Sequence, residues 1–295
     1  MVAMDITKIA ISGGKGGIGK SLISSNLAFL SAQKQRTLLA DCDTECPNDH
    51  VVLNLSLKKA KDLFQPIPKW DREKCIKCGK CALACKQEAI VFVKGKIPAF
   101  VGDLCIGCMA CKISCPVRAI SETQKKIGKI YHSQKDNLHL LTGELKIGEL
   151  ASGEIVSEVR KSTDEYAEKN QIKIIFIDSA AGIGCPVIAS IKNTDFVLAV
   201  TEPTPAAFYD LKRLLFLTDN FSLKRGMVIN KSTLDLTYAK KMRDFADKNS
   251  IPVLGEIPYD QKIVEATVRQ KLIVGIDEEL RRVFKGVLGR IEEVV

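Results

Sequence analysis

Short apolar runs and longer amphipathic stretches alternate along most of this chain. Residues 5–11 (DITKIAI) alternate and then run apolar, which predicts a strand, and residues 20–34 follow as a predicted helix. TLLAD at 37–41 predicts a second short strand. Farther on, LHLLT (138–142), IKIIFID (172–178), FVLAVT (196–201), GMVIN (226–230) and IPVLGEI (251–257) predict strands. Helices are predicted between them at 153–169, 185–192, 205–219 and 235–249, with more after 257. Apolar strands alternating with helices predict an α/β fold, a doubly wound and mostly parallel sheet covered on both faces.

The alternation stops between about residues 58 and 136. Within that stretch, residues 75–90 and 105–120 share seven of sixteen positions at a 30-residue offset. A two-copy unit of this size predicts a domain inserted into the α/β chain. Its core is placed at 70–122, leaving 1–69 and 123–295 as one discontinuous domain.

Composition sharpens this picture. The 295 residues are 46% hydrophobic and 27% charged, enough for a sizeable core. The most apolar stretch, 174–191, contains Asp178, two glycines and a proline, which argues against a membrane span. The opening MVAMDITKIAIS lacks the layout of a secretory signal, so a cytoplasmic protein is expected. Of the net charge of +9, residues 58–135 carry 17 Lys and Arg against 6 Asp and Glu, a local +11. Eight of the 11 cysteines lie between Cys75 and Cys115. Clustered cysteines in a reducing compartment point to metal rather than disulfides.

The segment GGKGGIGKS (13–21) holds the pattern G-x-x-x-x-G-K-S, with Gly14, Gly19, Lys20 and Ser21 at its fixed positions. It follows a predicted strand and opens a predicted helix, the context a phosphate-binding loop requires. Its glycines let backbone N–H groups turn inward around phosphates, and the helix N-terminus adds positive potential. Lys20 is expected at the terminal phosphates of ATP and Ser21 on Mg²⁺.

Lys15 exceeds that general motif. The run Lys15, Gly16, Gly17, Ile18, Gly19, Lys20, Ser21 resembles the deviant phosphate loop of the MinD/ParA family, which includes the nitrogenase iron protein. The resemblance spans roughly residues 1–57 and 137–295. It implies that Lys15 crosses an ATP-dependent homodimer interface to the partner's nucleotide. It further implies a first switch at Asp41 and Asp43, with Asp43 positioning the attacking water. Asp178 and Gly182 match the second switch near Mg²⁺, Asn230 the residue that reads adenine, and Pro258 and Asp260 the loop bordering the base.

Cys75, Cys78, Cys81 and Cys85 repeat the spacing of Cys105, Cys108, Cys111 and Cys115. Zinc sites usually come as separated cysteine pairs rather than four cysteines in eleven residues. The spacing is similar to that of the dicluster bacterial ferredoxins, an α+β fold, and implies two [4Fe–4S] clusters that exchange fourth ligands. Cluster one then uses Cys75, Cys78, Cys81 and Cys115, and cluster two Cys105, Cys108, Cys111 and Cys85. Lys86 stands where Pro116 follows Cys115, which predicts a different turn after Cys85. The lysines of this stretch are expected to offset cluster charge. Without interleaved aromatics they argue against nucleic acid.

Cys42, Cys46 and Cys185 are expected as buried or interface thiols. The amphipathic helix at 277–295 is expected to dock on its own sheet rather than on a membrane, a surface to which Glu292 and Glu293 are ill suited. The chain as a whole resembles MinD-superfamily ATPases with an inserted ferredoxin domain. That resemblance implies a slow Mg²⁺-dependent ATPase coupled to electron transfer or cluster delivery to a redox or iron–sulfur partner. The alternative is a MinD/ParA-type positioning or scaffold ATPase whose clusters are structural or redox-sensing.

Overall fold

The computed structural model describes residues 6–295. Residues 1–5, with the start of the first predicted strand and part of the stretch judged against a secretory signal, lie outside the described residues. The described chain begins β1 (Thr7–Gly13), α1 (Lys20–Ala32), β2 (Thr37–Asp41), the one-turn helix α2 (Asp49–Val52) and β3 (Lys58–Trp70). It continues α3 (Lys80–Ala84), β4 (Ile90–Val91), β5 (Ala99–Phe100), α4 (Ala110–Ile113), β6 (Ile120–Lys135) and β7 (Leu138–Leu145). Then follow α5 (Gly153–Lys169), β8 (Ile174–Ala181), α6 (Cys185–Ile191), β9 (Phe196–Thr201), α7 (Pro205–Asn220) and β10 (Arg225–Asn230). The chain closes with α8 (Leu236–Lys248), β11 (Val253–Ile257), α9 (Gln261–Val268) and α10 (Glu278–Val294).

Nine strands form one sheet in the order β11-β10-β9-β1-β8-β2-β7-β6-β3, parallel from β11 to β7. Because successive strand residues face opposite ways, each central strand feeds two cores. Ile9, Ile11, Ile174 and Phe176 pack under α1 and α10, whereas Ala10, Ile175 and Ile177 pack under α5 to α8. This is the doubly wound sheet that the sequence pattern predicts. Helix α10 docks as expected, burying Leu280, Phe284, Val287, Leu288 and Ile291 against the sheet. Asp277 caps its first turn by accepting from the Leu280 N–H at 2.9 Å. Among the described residues no helix is long and apolar enough to cross a membrane.

The stretch left without strands, 58–136, is corrected at both ends. Strands β3 and β6 pair antiparallel from Lys58↔His132 to Trp70↔Ile120, and β6 pairs antiparallel with β7. The ribbon therefore continues the main sheet, and only the segment between Trp70 and Ile120 leaves it. Pro66 and Pro68 are tolerated because β3 is the sheet edge, where a missing N–H costs no ladder bond. Gln65, 4% exposed, ties ribbon to insert by donating from Nε2 to the Cys105 carbonyl at 2.6 Å.

Candidate functional site

The parallel strands end on one edge, and there the phosphate loop lies between β1 and α1. Gly17 (φ 78°) and Gly19 (φ 94°) occupy the left-handed region, which a residue with a Cβ enters only at a cost. Gly14 is needed for another reason, since a Cβ there would collide with Asp210 of α7. Lys20 is buried at the start of α1, with the carboxylates of Asp43 and Asp178 as its electrostatic neighbours. Gly182 (φ 98°) donates its N–H to the Gly13 carbonyl at 3.1 Å, joining the segment after β8 to the loop.

Sheet register brings the acidic residues together. Asp41 and Asp178 are direct neighbours on β2 and β8. The Asp41 carboxylate accepts from the N–H groups of Asp43, Asn48 and Asp49, so it shapes the loop at 42–49. Burial pushes the Asp178 carboxyl up to about 7, although Ser21 and Lys20 pull it down. Burial also raises Asp43, which Lys20 opposes, and raises Asp41, reinforced by Asp178. Asp49 was not singled out from sequence, yet it is fully buried beside Asp41 and Asp178, with one oxygen of each within 4.8 Å of the others. Nothing in the run PNDH distinguishes it; only the fold of the loop brings it in.

Two further residues were missed. Glu202, just after β9, bridges Lys15 and Lys231 at 2.7 Å each. Burial raises its carboxyl, but the two lysines outweigh that and hold it below its ordinary value. Lys231 also donates to the Gly17 carbonyl at 3.0 Å. Asn230, expected to read a base, braces the loop. Its Nδ2 donates to the Ile18 carbonyl at 2.7 Å, and its Oδ1 accepts from the Lys231 N–H at 3.0 Å. The strand-end position that suggested base reading is the position from which a short amide reaches the loop. Pro258 and Asp260 lie beside it, since Asn230 pairs with Ile257 and the Ser232 N–H bonds the Ile257 carbonyl. The Asp260 side chain caps α9 by accepting from the Lys262 N–H at 2.8 Å.

The cysteine insert is duplicated in conformation as well as in sequence. Lys77 and Gly107, Gly79 and Met109, and Glu88 and Arg118 all have positive φ, each pair 30 residues apart. The different turn expected from Lys86 is not found. Glu88 N–H bonds the Cys85 carbonyl at 3.2 Å and Arg118 N–H the Cys115 carbonyl at 3.3 Å, so both turns close alike. Closure depends on the residue in left-handed φ, not on the proline. Cys75, Cys78, Cys81 and Cys115 line one cavity, backed by Trp70 and Ile120. Cys85 and Cys108 are the thiols acting on Cys105, and Cys105 and Cys108 those acting on Cys111. Burial pushes Cys111 up to about 11 and raises Cys81 and Cys105, so a ligand that needs thiolates must offset that cost. Backbone N–H groups of Gly107 and Ala119 already point at the sulfurs of Cys105 and Cys115, at 3.5 and 3.2 Å.

The excess of lysines has a second explanation. Lys59 and Lys126 pair with Asp62, Lys61 with Glu158, and Lys125 with Asp103 and Glu149. These pairs belong to the ribbon, so part of the local charge serves the sheet edge, where lysines discourage further strand pairing. Of the remaining cysteines, Cys42 is buried, which pushes its thiol up to about 12, and Cys46 and Cys185 are exposed.

Fold and loop together define a nucleotide-binding protein of the phosphate-loop class. The chain belongs to the CobQ/CobB/MinD/ParA nucleotide binding domain family, which it matches over residues 9–273. It is 35% identical over 261 residues to the uncharacterized protein MJ0579 of Methanocaldococcus jannaschii, covering 87% of each chain. It is 24% identical to the septum site-determining protein MinD of Helicobacter pylori, covering 97% of this chain and 91% of that one. Among solved structures, MinD of Pyrococcus horikoshii complexed with Mg-ADP superposes with a TM-score of 0.62 at 18% identity, covering 97% and 96% of the two chains. This MinD/ParA kinship favours a MinD/ParA-type ATPase over the electron carrier that the cysteine pattern first suggests.

Proposed function

We propose that this protein is a MinD/ParA-type ATPase that works by ATP-dependent self-association and carries a structural or redox-sensing iron–sulfur unit on its sheet edge. The observation that carries the reading is the convergence of the loop 13–21, buried Lys20, Ser21 and the Asp41–Asp178 pair on the family's fold. In this reading Lys20 would meet the terminal phosphates, and Ser21 and Asp178 would hold Mg²⁺, which would neutralise phosphate charge. Asp43, half-buried on the loop after β2, would orient the attacking water. Wild-type turnover with Mg·ATP, and an ATP-dependent rise in mass by light scattering, are expected. A chain that stays monomeric and inert under ATP would defeat the reading.

The insert fits two [4Fe–4S] groups better than zinc. A tetrahedral zinc site with bonds of about 2.3 Å holds its sulfurs about 3.8 Å apart. Among the described residues, no three cysteine sulfurs lie within 4.8 Å of one another. Four cysteines within eleven residues, twice over, suit cubes whose four irons each take one thiolate. Anaerobic protein should contain about eight iron and eight sulfide per chain; zinc without sulfide would remove this part of the proposal.

ATP-gated electron transfer or cluster delivery to a redox partner is the second reading. It is favoured by one observation, the exposure of Cys78 and Cys108, which puts a ligand of each set at the surface. Reversible low-potential reduction that responds to nucleotide would select it over the sensing role.

A further inference from the structure

We infer that Asp41, Asp49 and Asp178 form a divalent-cation site that fills before nucleotide arrives, with Asp49 the ligand that the phosphate-loop pattern does not supply. The inference rests on the proposed reading in which Asp178 faces the Mg²⁺ of a nucleotide. In nucleotide sites Mg²⁺ is ordinarily bound by one or two carboxylates plus phosphate oxygens and water, so the metal comes and goes with the phosphates. Here three carboxylates share one place.

Their geometry suits a cation. One oxygen from each lies within 4.8 Å of the others. Opposite oxygens of a Mg²⁺ octahedron with bonds of about 2.1 Å stand about 4.2 Å apart, and a larger ion spans more. Two of the carboxylates are fixed by sheet register, as neighbours on β2 and β8. The third is carried in at the start of α2 and held there by Ser25 of α1, whose Oγ donates to Asp49 Oδ1 at 2.9 Å.

Hydrogen bonding leaves this set incomplete. Asp41 is satisfied by backbone N–H groups, but Asp49 Oδ2 and Asp178 Oδ1 have no partner, although their residues are 0% and 1% exposed. A buried polar atom without a partner costs about 1–3 kcal/mol, and more when charged. Lys20 is the cation acting on Asp178, and one ammonium does not balance three carboxylates. A hard divalent ion would satisfy both free oxygens at once. An all-oxygen donor set selects Mg²⁺, Mn²⁺ or Ca²⁺ and leaves soft metals to the thiolates. The consequence is structural: a cation on Asp49 would clamp α2, and the chain leading to β3, to the centre of the sheet.

The test is a Mn²⁺ titration of the anaerobically isolated full chain without nucleotide, read as loss of the free-ion EPR signal. One Mn²⁺ per chain, displaced by Mg²⁺, is expected. Asp49→Asn keeps the shape and the Ser25 contact, and should weaken that binding at least about tenfold, about 1.4 kcal/mol. Binding of a fluorescent ATP analogue in EDTA should be unchanged in the variant. Wild-type protein that takes up Mn²⁺ only with nucleotide overturns the inference, as does a variant that binds Mn²⁺ like the wild type. If Mn²⁺ binds but nucleotide does not bind under any metal condition, the ATPase reading fails and the cation site stands.

Discussion

Lys20 and Asp43 sit at the same phosphate edge, but in different backbone settings. Lys20 is fixed at the start of α1, whereas Asp43 rides on the loop after β2. Lys20→Ala should therefore lose ATP affinity about 100-fold, about 2.8 kcal/mol, measured by calorimetry. Asp43→Ala should keep affinity and lose turnover by about 100-fold or more, because the role proposed for it is to orient the attacking water. Tight binding by the Lys20 variant would contradict the assignment. Asp178 makes a second prediction. Burial lifts its carboxyl to about 7, against an unfolded value near 3.8, so between these pH values the folded state holds the extra proton. Stability of the metal- and nucleotide-free chain should fall as pH rises through that window, by up to about 1.4 kcal/mol per pH unit for each such proton. Asp41 and Asp49 are raised too and add in the same direction. Melting curves in EDTA at pH 6 and 8 should show the lower pH more stable, with a smaller difference in Asp178→Asn. An unchanged difference would assign the proton elsewhere.

At the scale of elements, the parallel strands were legible because a strand buried on both faces must be apolar along its length. β2 and β9 fall where TLLAD and FVLAVT place them. The ribbon was not legible for the converse reason. β3 is the edge strand and β6 lies between it and β7; the pair carries many lysines, two prolines in β3 and little alternation, and only pairing with β7 reveals it. The phosphate loop was legible because its glycines are set by local backbone geometry. Glu202 and Asp49 act across long sequence separations, and no local pattern marks them. The cysteine repeat is local, and its two halves fold alike, which yields a prediction about cross-ligation. Cys115 lines the cavity of Cys75, Cys78 and Cys81, three cysteines of the other repeat. Cys115→Ala should damage the cluster on those three and leave the other spectroscopically whole. Selective loss of the cluster on Cys105, Cys108 and Cys111 would reverse the ligand assignment.

For the whole molecule the decisive residue is Lys15. In a single chain its ammonium is held by Glu202 at 2.7 Å, while Lys20 already serves the same loop. A second lysine on one loop has no evident task in its own site. Across a two-fold axis it would add positive charge where the transition state spreads negative charge, as an arginine finger does. Dimerisation would then require Lys15 to leave Glu202, a contact that restrains the lone chain. Glu202→Gln should loosen that hold and lower the ATP concentration at which dimers form, by light scattering. Lys15→Ala and Asp43→Ala should each be inactive alone. In a heterodimer of the two, one site has its own Asp43 and receives an intact Lys15 from its neighbour, while the other site lacks both. Random exchange makes half the dimers mixed and half of their sites complete, so about a quarter of all sites should regain turnover. If light scattering shows ATP-driven exchange into mixed dimers and turnover stays absent, Lys15 acts within its own chain and its ion pair with Glu202 is its working position.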